Sequence, residues 1–133
     1  MFKVFSVMLA GACMCCAAEL SGVEYGRYLV EEVAKCGDCH TPRKPNGELD
    51  VSRRLKGATL DALAPCDAKH QGKKSPDLTP SGDLFRRWGA QGMVEFLKTS
   101  LNPQGHPAAA PMPAYKLRAH DAEAMTSYLE SLK

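Results

Sequence analysis

Two thiols and an imidazole stand together at Cys36-Gly37-Asp38-Cys39-His40, spaced C-x-x-C-H. That spacing suits covalent attachment of a haem. Two thiols must reach the two vinyl groups on one edge of a porphyrin, where they form thioethers. Two intervening residues give one tight turn. A histidine directly after the second thiol is then left beneath the macrocycle, where a ring nitrogen can bind the iron. A bare C-x-x-C is ambiguous between haem, zinc and a redox dithiol; the added His40 weights the first.

Haem iron takes two axial ligands, so a partner for His40 must come from elsewhere in the chain. The candidates are Met93, Met112, Met125, His70, His106 and His120. Met93 and Met125 fall on apolar stripes at helical spacing, where methionine is ordinarily core. His70 and His106 lie in polar loops, and His120 lies near a helix start. Met112 differs, because it sits in Pro111-Met112-Pro113-Ala114-Tyr115. Flanking prolines stiffen an extended segment, and a stiff segment can hold a thioether at a fixed distance from iron. His40/Met112 ligation predicts a higher reduction potential than two histidines would give. Trp88 and Arg43 are the candidate donors to the haem propionates, which need partners if partly buried. Tyr28, Leu29, Val33, Leu97, Leu101 and Tyr115 are candidate walls of the crevice.

The chain has 133 residues, enough for one domain. Residues 1–18 read as an export signal: Lys3 is the positive start, residues 4–18 are apolar or small save Ser6, and Cys16-Ala17-Ala18 offers a cleavage site. The run is short and rich in small residues for a membrane span. An uncleaved anchor is one alternative; lipidation at Cys13, after Ala10-Gly11-Ala12, is another, and would attach the protein to a membrane. Residues 19–133 form the working domain. Three of six cysteines lie in the leader, which leaves Cys66 without an intramolecular partner once Cys36 and Cys39 carry haem. The formal charge is +2; removing residues 1–18 takes away Lys3 and no acid, leaving +1. This excludes the basic excess of a nucleic-acid binder.

The elements that must hold these groups are helices. Residues 23–35 read as the first, with Tyr25, Leu29, Val33 and Cys36 on one face and Ser21/Glu24 as a capping box. Gly26 within it costs up to ~1 kcal/mol against Ala unless another helix approaches there. Residues 41–75 are rich in turn formers and read as loop, with one short helical turn at residues 60–63. Residues 90–100 form a second helix capped by Gly89, with Met93, Val94, Leu97 and Leu101 on one face. Four prolines keep residues 101–115 irregular. A last helix spans residues 119–132, with Ala122, Met125, Leu129 and Leu132 as its stripe. No alternating run of strand length stands out, so the expected class is all-α.

With these residues in hand, the chain resembles a class I, single-haem cytochrome c over roughly residues 22–132. Gly26-Arg27-Tyr28-Leu29-Val30 resembles the first helix of that family. Cys36-Gly37-Asp38-Cys39-His40-Thr41-Pro42-Arg43 resembles its haem site, Pro111-Met112-Pro113 with Tyr115 its distal methionine loop, and residues 124–132 its last helix. The resemblance implies terminal helices crossing near a right angle, with Gly26 against Tyr128 or Leu129. It implies one haem c, held through Cys36 and Cys39, and an electron carrier rather than an enzyme. More narrowly, Cys-Gly-Asp-Cys-His-Thr-Pro-Arg and Pro-Asp-Leu-Thr-Pro resemble cytochrome subunits of periplasmic alcohol- or sugar-type dehydrogenases. Those subunits imply redox protein partners: a dehydrogenase as donor, and an oxidase or another cytochrome as acceptor. Arg118 in place of a capping Ser or Thr, Asp77 in place of a common Asn, and Cys66 depart from the family pattern. Two rivals remain. One is a haem enzyme or gas or peroxide sensor with an open distal site. The other drops haem and makes the cysteines a redox dithiol or zinc ligands.

Overall fold

The computed structural model describes residues 22–60 and 72–133. The leader, Ser21, residues 61–63, Cys66 and His70 lie outside the described residues.

The first helix, α1 (Gly22–Tyr28), runs on into a π-helical turn, Leu29–Val33, closed by the Ala34 N–H on the Leu29 carbonyl at 2.8 Å. The expected single helix to residue 35 is therefore shorter and changes pitch before the cysteines. Lys35 takes a left-handed conformation (φ 49°), which turns the chain into α2 (Cys36–His40). A turn closed by the Arg43/Leu49 bridge follows, then a 3-10 turn, Val51–Arg53.

Strands β1 (Lys56–Thr59) and β2 (Lys74–Asp77) pair antiparallel in the register Lys56↔Asp77, Ala58↔Ser75 and Thr59↔Lys74. The all-α expectation is corrected here. The sequence hides the sheet because neither strand alternates: Lys-Gly-Ala-Thr and Lys-Ser-Pro-Asp carry no apolar stripe. The pairing is supported instead by Ser75, whose Oγ accepts from the Ala58 N–H at 2.9 Å.

Helix α3 (Asp83–Thr99) begins seven residues before the expected start. A kink divides it at Gly89 (φ 63°, ψ 179°), so the second segment starts at Ala90 with the non-helical Gly89 in the expected cap position, and the segment from Asp83 to Trp88 is the unexpected addition. Only glycine adopts that φ without strain. After an irregular stretch, α4 (Ala119–Ser131) closes the chain, and its first residue is preceded by Arg118 with no side-chain cap.

Helices α1 and α3 both pack on α4. Val30, Leu55, Leu78, Phe85, Met93, Val94, Leu97, Ala122, Met125, Tyr128 and Leu129 form one core. The α1–α4 contact is built around Gly26. A Cβ there would stand 1.9 Å from the Ala124 carbonyl oxygen and 3.0 Å from the Tyr128 Cβ. The expected partner, Tyr128, is therefore present, with the Ala124 backbone closer still. Tyr25 Oη adds a hydrogen bond to Asp121 at 3.0 Å along the same seam. No described helix is long and apolar enough to cross a membrane.

Candidate functional site

His40 is 4% exposed, and its Nδ1 lies 2.9 Å from the Pro76 carbonyl. A carbonyl only accepts, so Nδ1 carries the hydrogen and Nε2 is left with the lone pair. Burial holds the imidazole below its ordinary pKa, against the opposing pull of the Pro76 hydrogen bond. At neutral pH the ring is thus a neutral donor, in the tautomer a metal requires. The hairpin supplies this geometry. β2 carries Pro76, and Ser75 Oγ donates to the Cys39 carbonyl at 2.6 Å.

Cys36, Cys39 and His40 line a cavity of about 460 Å³. Its far wall comes from α3, α4 and the proline-rich loop: Leu84, Trp88, Met93, Phe96, Leu97, Met112, Met125 and Leu129 all face it. The volume falls in the ~300–1,000 Å³ range of sites that take cofactor-sized ligands. The cavity therefore gathers two thiols, one tautomer-fixed imidazole, thioethers and an apolar lining. This donor set fits a haem held through two thioethers.

The thiols bear on the rivals. Burial pushes the Cys36 thiol up to about 11. Burial, followed by the neighbouring Asp38 carboxylate, raises Cys39 as well. A working redox dithiol needs a lowered thiol pKa. Among the described residues, no three His, Cys, Asp or Glu side chains are grouped as a metal ion alone would need.

The proposed distal residues fall as follows. Met112 lines the cavity from the loop, and so do Met93 and Met125, both nearly fully buried on their helices. Three thioethers thus share one space, where the sequence reading separated one ligand from two core residues. His106 is exposed, and His120 stacks on Tyr25 with ring centroids 5.5 Å apart, so neither faces the cavity. Trp88 is on the wall, its ring 5.3 Å from that of Phe96. Arg43 is not on the wall. Its Nη1 donates to the Gly47 carbonyl at 2.8 Å, closing the turn after α2. The polar groups on the cavity wall are instead Lys73, Lys74, Ser75 and Asn102. Sequence reasoning passed over the lysines because they fall in the stretch to residue 75 that reads as loop, and over Pro76 because a backbone carbonyl leaves no mark in the sequence.

Of the expected wall residues, Leu97 takes part. Leu29 and Tyr115 pack against the core, and Tyr115 Oη donates to the Ala34 carbonyl at 3.3 Å. Tyr28, Val33 and Leu101 are exposed by 48%, 57% and 44%. The π-helical turn Leu29–Val33 accounts for Val33, because a change of pitch takes residues after position 28 off the stripe that a plain α-helix would continue.

No protein-family model matches the chain. It is 32% identical over 113 residues to a diheme cytochrome c-type protein of Cereibacter sphaeroides, covering 80% of this chain and 34% of that protein. It is 31% identical over 114 residues to the fructose dehydrogenase cytochrome subunit of Gluconobacter japonicus, covering 80% and 21%. It is 30% identical over 114 residues to a nicotinate dehydrogenase subunit of Pseudomonas putida, covering 81% and 9%. These relatives support a cytochrome c. The chain spans about a third, a fifth and a tenth of their respective lengths.

Proposed function

We propose that this chain is a single-haem c-type electron carrier of the class I kind, exported to the bacterial periplasm. It passes electrons from a dehydrogenase-type donor to a respiratory acceptor, an oxidase or another cytochrome. One observation carries the reading: His40, with its tautomer fixed by Pro76, lines the same apolar cavity as Cys36, Cys39 and Met112. The names of the similar proteins, two of them dehydrogenase subunits, support the class of partner.

The bound haem would supply reversible one-electron chemistry. Cys36 and Cys39 would tether it, and His40 Nε2 and Met112 Sδ would be the ligands to its iron. The apolar wall from α3 and α4 would exclude water and so disfavour the added charge of the oxidised state. Trp88, Lys73, Lys74 and Asn102 are the donors on the cavity wall nearest to hand for the propionates, whereas Arg43 lies off that wall with its Nη1 on the Gly47 carbonyl. With both axial positions filled there is no open coordination site, which favours carriage over catalysis. Partners would meet the cavity mouth in a small, short-lived interface. A lipid anchor at Cys13 would hold the carrier at the membrane.

The test is an absorbance spectrum of periplasmically expressed protein, oxidised and reduced, with a haem stain after denaturing electrophoresis. Covalent haem and a red sulfur-to-iron charge-transfer band are expected. Replacing Met112 by Ala abolishes that band and admits carbon monoxide to the reduced protein. Carbon monoxide binding by the parent protein at neutral pH would establish the open-site rival instead, and an unstained band would remove haem altogether.

A further inference from the structure

Leu55 takes φ 60°, a left-handed conformation that leucine rarely adopts, and is only 1% exposed. Its backbone explains what the conformation accomplishes. The Leu55 N–H donates to Thr41 Oγ1 at 3.0 Å, and Thr41 directly follows His40. The Leu55 carbonyl accepts from the Leu78 N–H at 2.9 Å, two residues past Pro76, whose carbonyl holds His40 Nδ1. One residue therefore clips both stretches of chain that flank the imidazole. Losing either bond would leave a buried polar atom unpaired.

The neighbouring residue anchors the clip. The Arg54 guanidinium donates to Glu31 Oε1 at 2.6 Å, and the same oxygen accepts from Tyr128 Oη. Glu31 lies on the π-helical turn and Tyr128 on α4, the packed seam of the molecule. Burial pushes the Glu31 carboxyl up, but the hydrogen bonds from Tyr128 and Arg54 outweigh it and hold the group ionised. The Arg54 side chain is 45% exposed, and an ion pair so exposed adds little to stability. Orientation is the effect left to it.

We infer that Tyr128, Glu31 and Arg54 form a clamp that positions His40 through Leu55, making Arg54 and Glu31 positioning residues for the axial imidazole. The inference rests on the haem reading of His40. Its physical basis is that the partner of the non-ligating ring nitrogen sets ring orientation and donor strength at a metal site.

The test compares the haem-loaded parent with Arg54→Met, Arg54→Lys and Arg53→Met. Arg53 pairs with Asp50 in the same loop at 2.8 Å; the Asp50 bond to the Pro42 carbonyl is made by its backbone N–H and does not depend on the Arg53 side chain. Amide exchange and the hyperfine-shifted His40 ring signals of the oxidised protein are read well below the unfolding midpoint. In Arg54→Met the Leu55 and Leu78 amides are expected to exchange at least tenfold faster and the His40 signals to move, with α3 amides unchanged. Arg54→Lys restores the parent pattern, and Arg53→Met leaves it intact. Faster exchange across all helices alike, or parent-like His40 signals, overturns the clamp. If Arg54→Met does not fold, Glu31→Gln must shift the same signals in the same direction, and its failure to do so is equally decisive. A parent that carries no covalent haem overturns the proposed function instead, and the clamp then stands or falls on the Leu55 and Leu78 exchange rates.

Discussion

Replacing Gly26 by Ala adds one methyl group where α1 meets α4. The added Cβ would lie 1.9 Å from the Ala124 carbonyl oxygen and 2.5 Å from its carbon, against a floor near 3.0 Å for real contacts. Relief requires about 1.1 Å of separation, and both obstacles are helix backbone, which cannot rotate aside. Ala gains ~1 kcal/mol of helix propensity over Gly. Overpacking costs ~1–3 kcal/mol or more, and parting the seam also loosens Val30, Ala122, Met125 and Tyr128, which are at most 6% exposed. Poorer packing of that core adds ~1–2 kcal/mol, in line with small cavities. The net expectation is a loss of ~1–4 kcal/mol, read as a lower guanidinium midpoint at unchanged slope. In thermal unfolding this amounts to roughly 4 °C per kcal/mol for a chain of this size. An unchanged or raised midpoint, as an ordinary exposed helical glycine would give, refutes the packing argument.

Ser75→Ala removes the Oγ that donates to the Cys39 carbonyl and accepts from the Ala58 N–H; a loss of ~1–3 kcal/mol in chemical denaturation is expected, from buried backbone groups left unpaired. Glu31 sits below its ordinary pKa of 4.5 when folded, so its stabilisation is complete above about pH 4.5 and fades as pH falls through the lower folded value. Glu31→Gln should therefore be less stable than the parent at neutral pH and show a flatter acid limb below pH 4.5 in pH-resolved denaturation; parallel curves would disprove the linkage. Residues 99–115 carry no Asp, Glu, Lys or Arg, and residues 107–113 line the cavity. On the proposed function, Ala109→Lys should slow electron self-exchange between two copies several-fold at low salt, with recovery near 0.5 M salt as screening shortens to a few ångströms. A rate equal to that of the parent would put the docking face elsewhere.

Much of the site could be read in the chain because its chemistry is local. C-x-x-C-H is written in five consecutive residues, and Met112 is marked by its two prolines. The first helix buries Gly26 and Val30, one position on from the Tyr25, Leu29, Val33 stripe that the spacing suggested, whereas the helix bearing Met125 could be read from its 3.6-residue stripe. The hairpin could not, because its strands are four residues long and polar, held by pairing and by Ser75 rather than by an apolar face. The role of Pro76 was equally silent, since a backbone carbonyl has no signature in sequence. Arg43, next to the attachment motif, suggested a role at the propionates; it lies off the cavity wall and its Nη1 donates to the Gly47 carbonyl, a turn contact that sequence spacing does not announce. Met93 was read correctly as core, but the core and the cavity wall turn out to be the same surface.

The break at Gly89 has a consequence for the phase of α3. In an unbroken helix Trp88 and Met93, five residues apart, would point about 140° away from one another at 100° per residue. Both nevertheless line one cavity, together with Leu84 four residues before Trp88 and Leu97 four after Met93. The non-helical residue re-sets the angular count, so that two short stripes, each too narrow alone, are brought onto a single wall. Nothing lies within 4 Å of a Cβ built at Gly89. A residue there would be excluded by its backbone angle, not by crowding. Gly89→Ala is thus a substitution of timing rather than of size: straightening the rod would swing either the indole or the thioether out of the cavity while every side chain kept its volume.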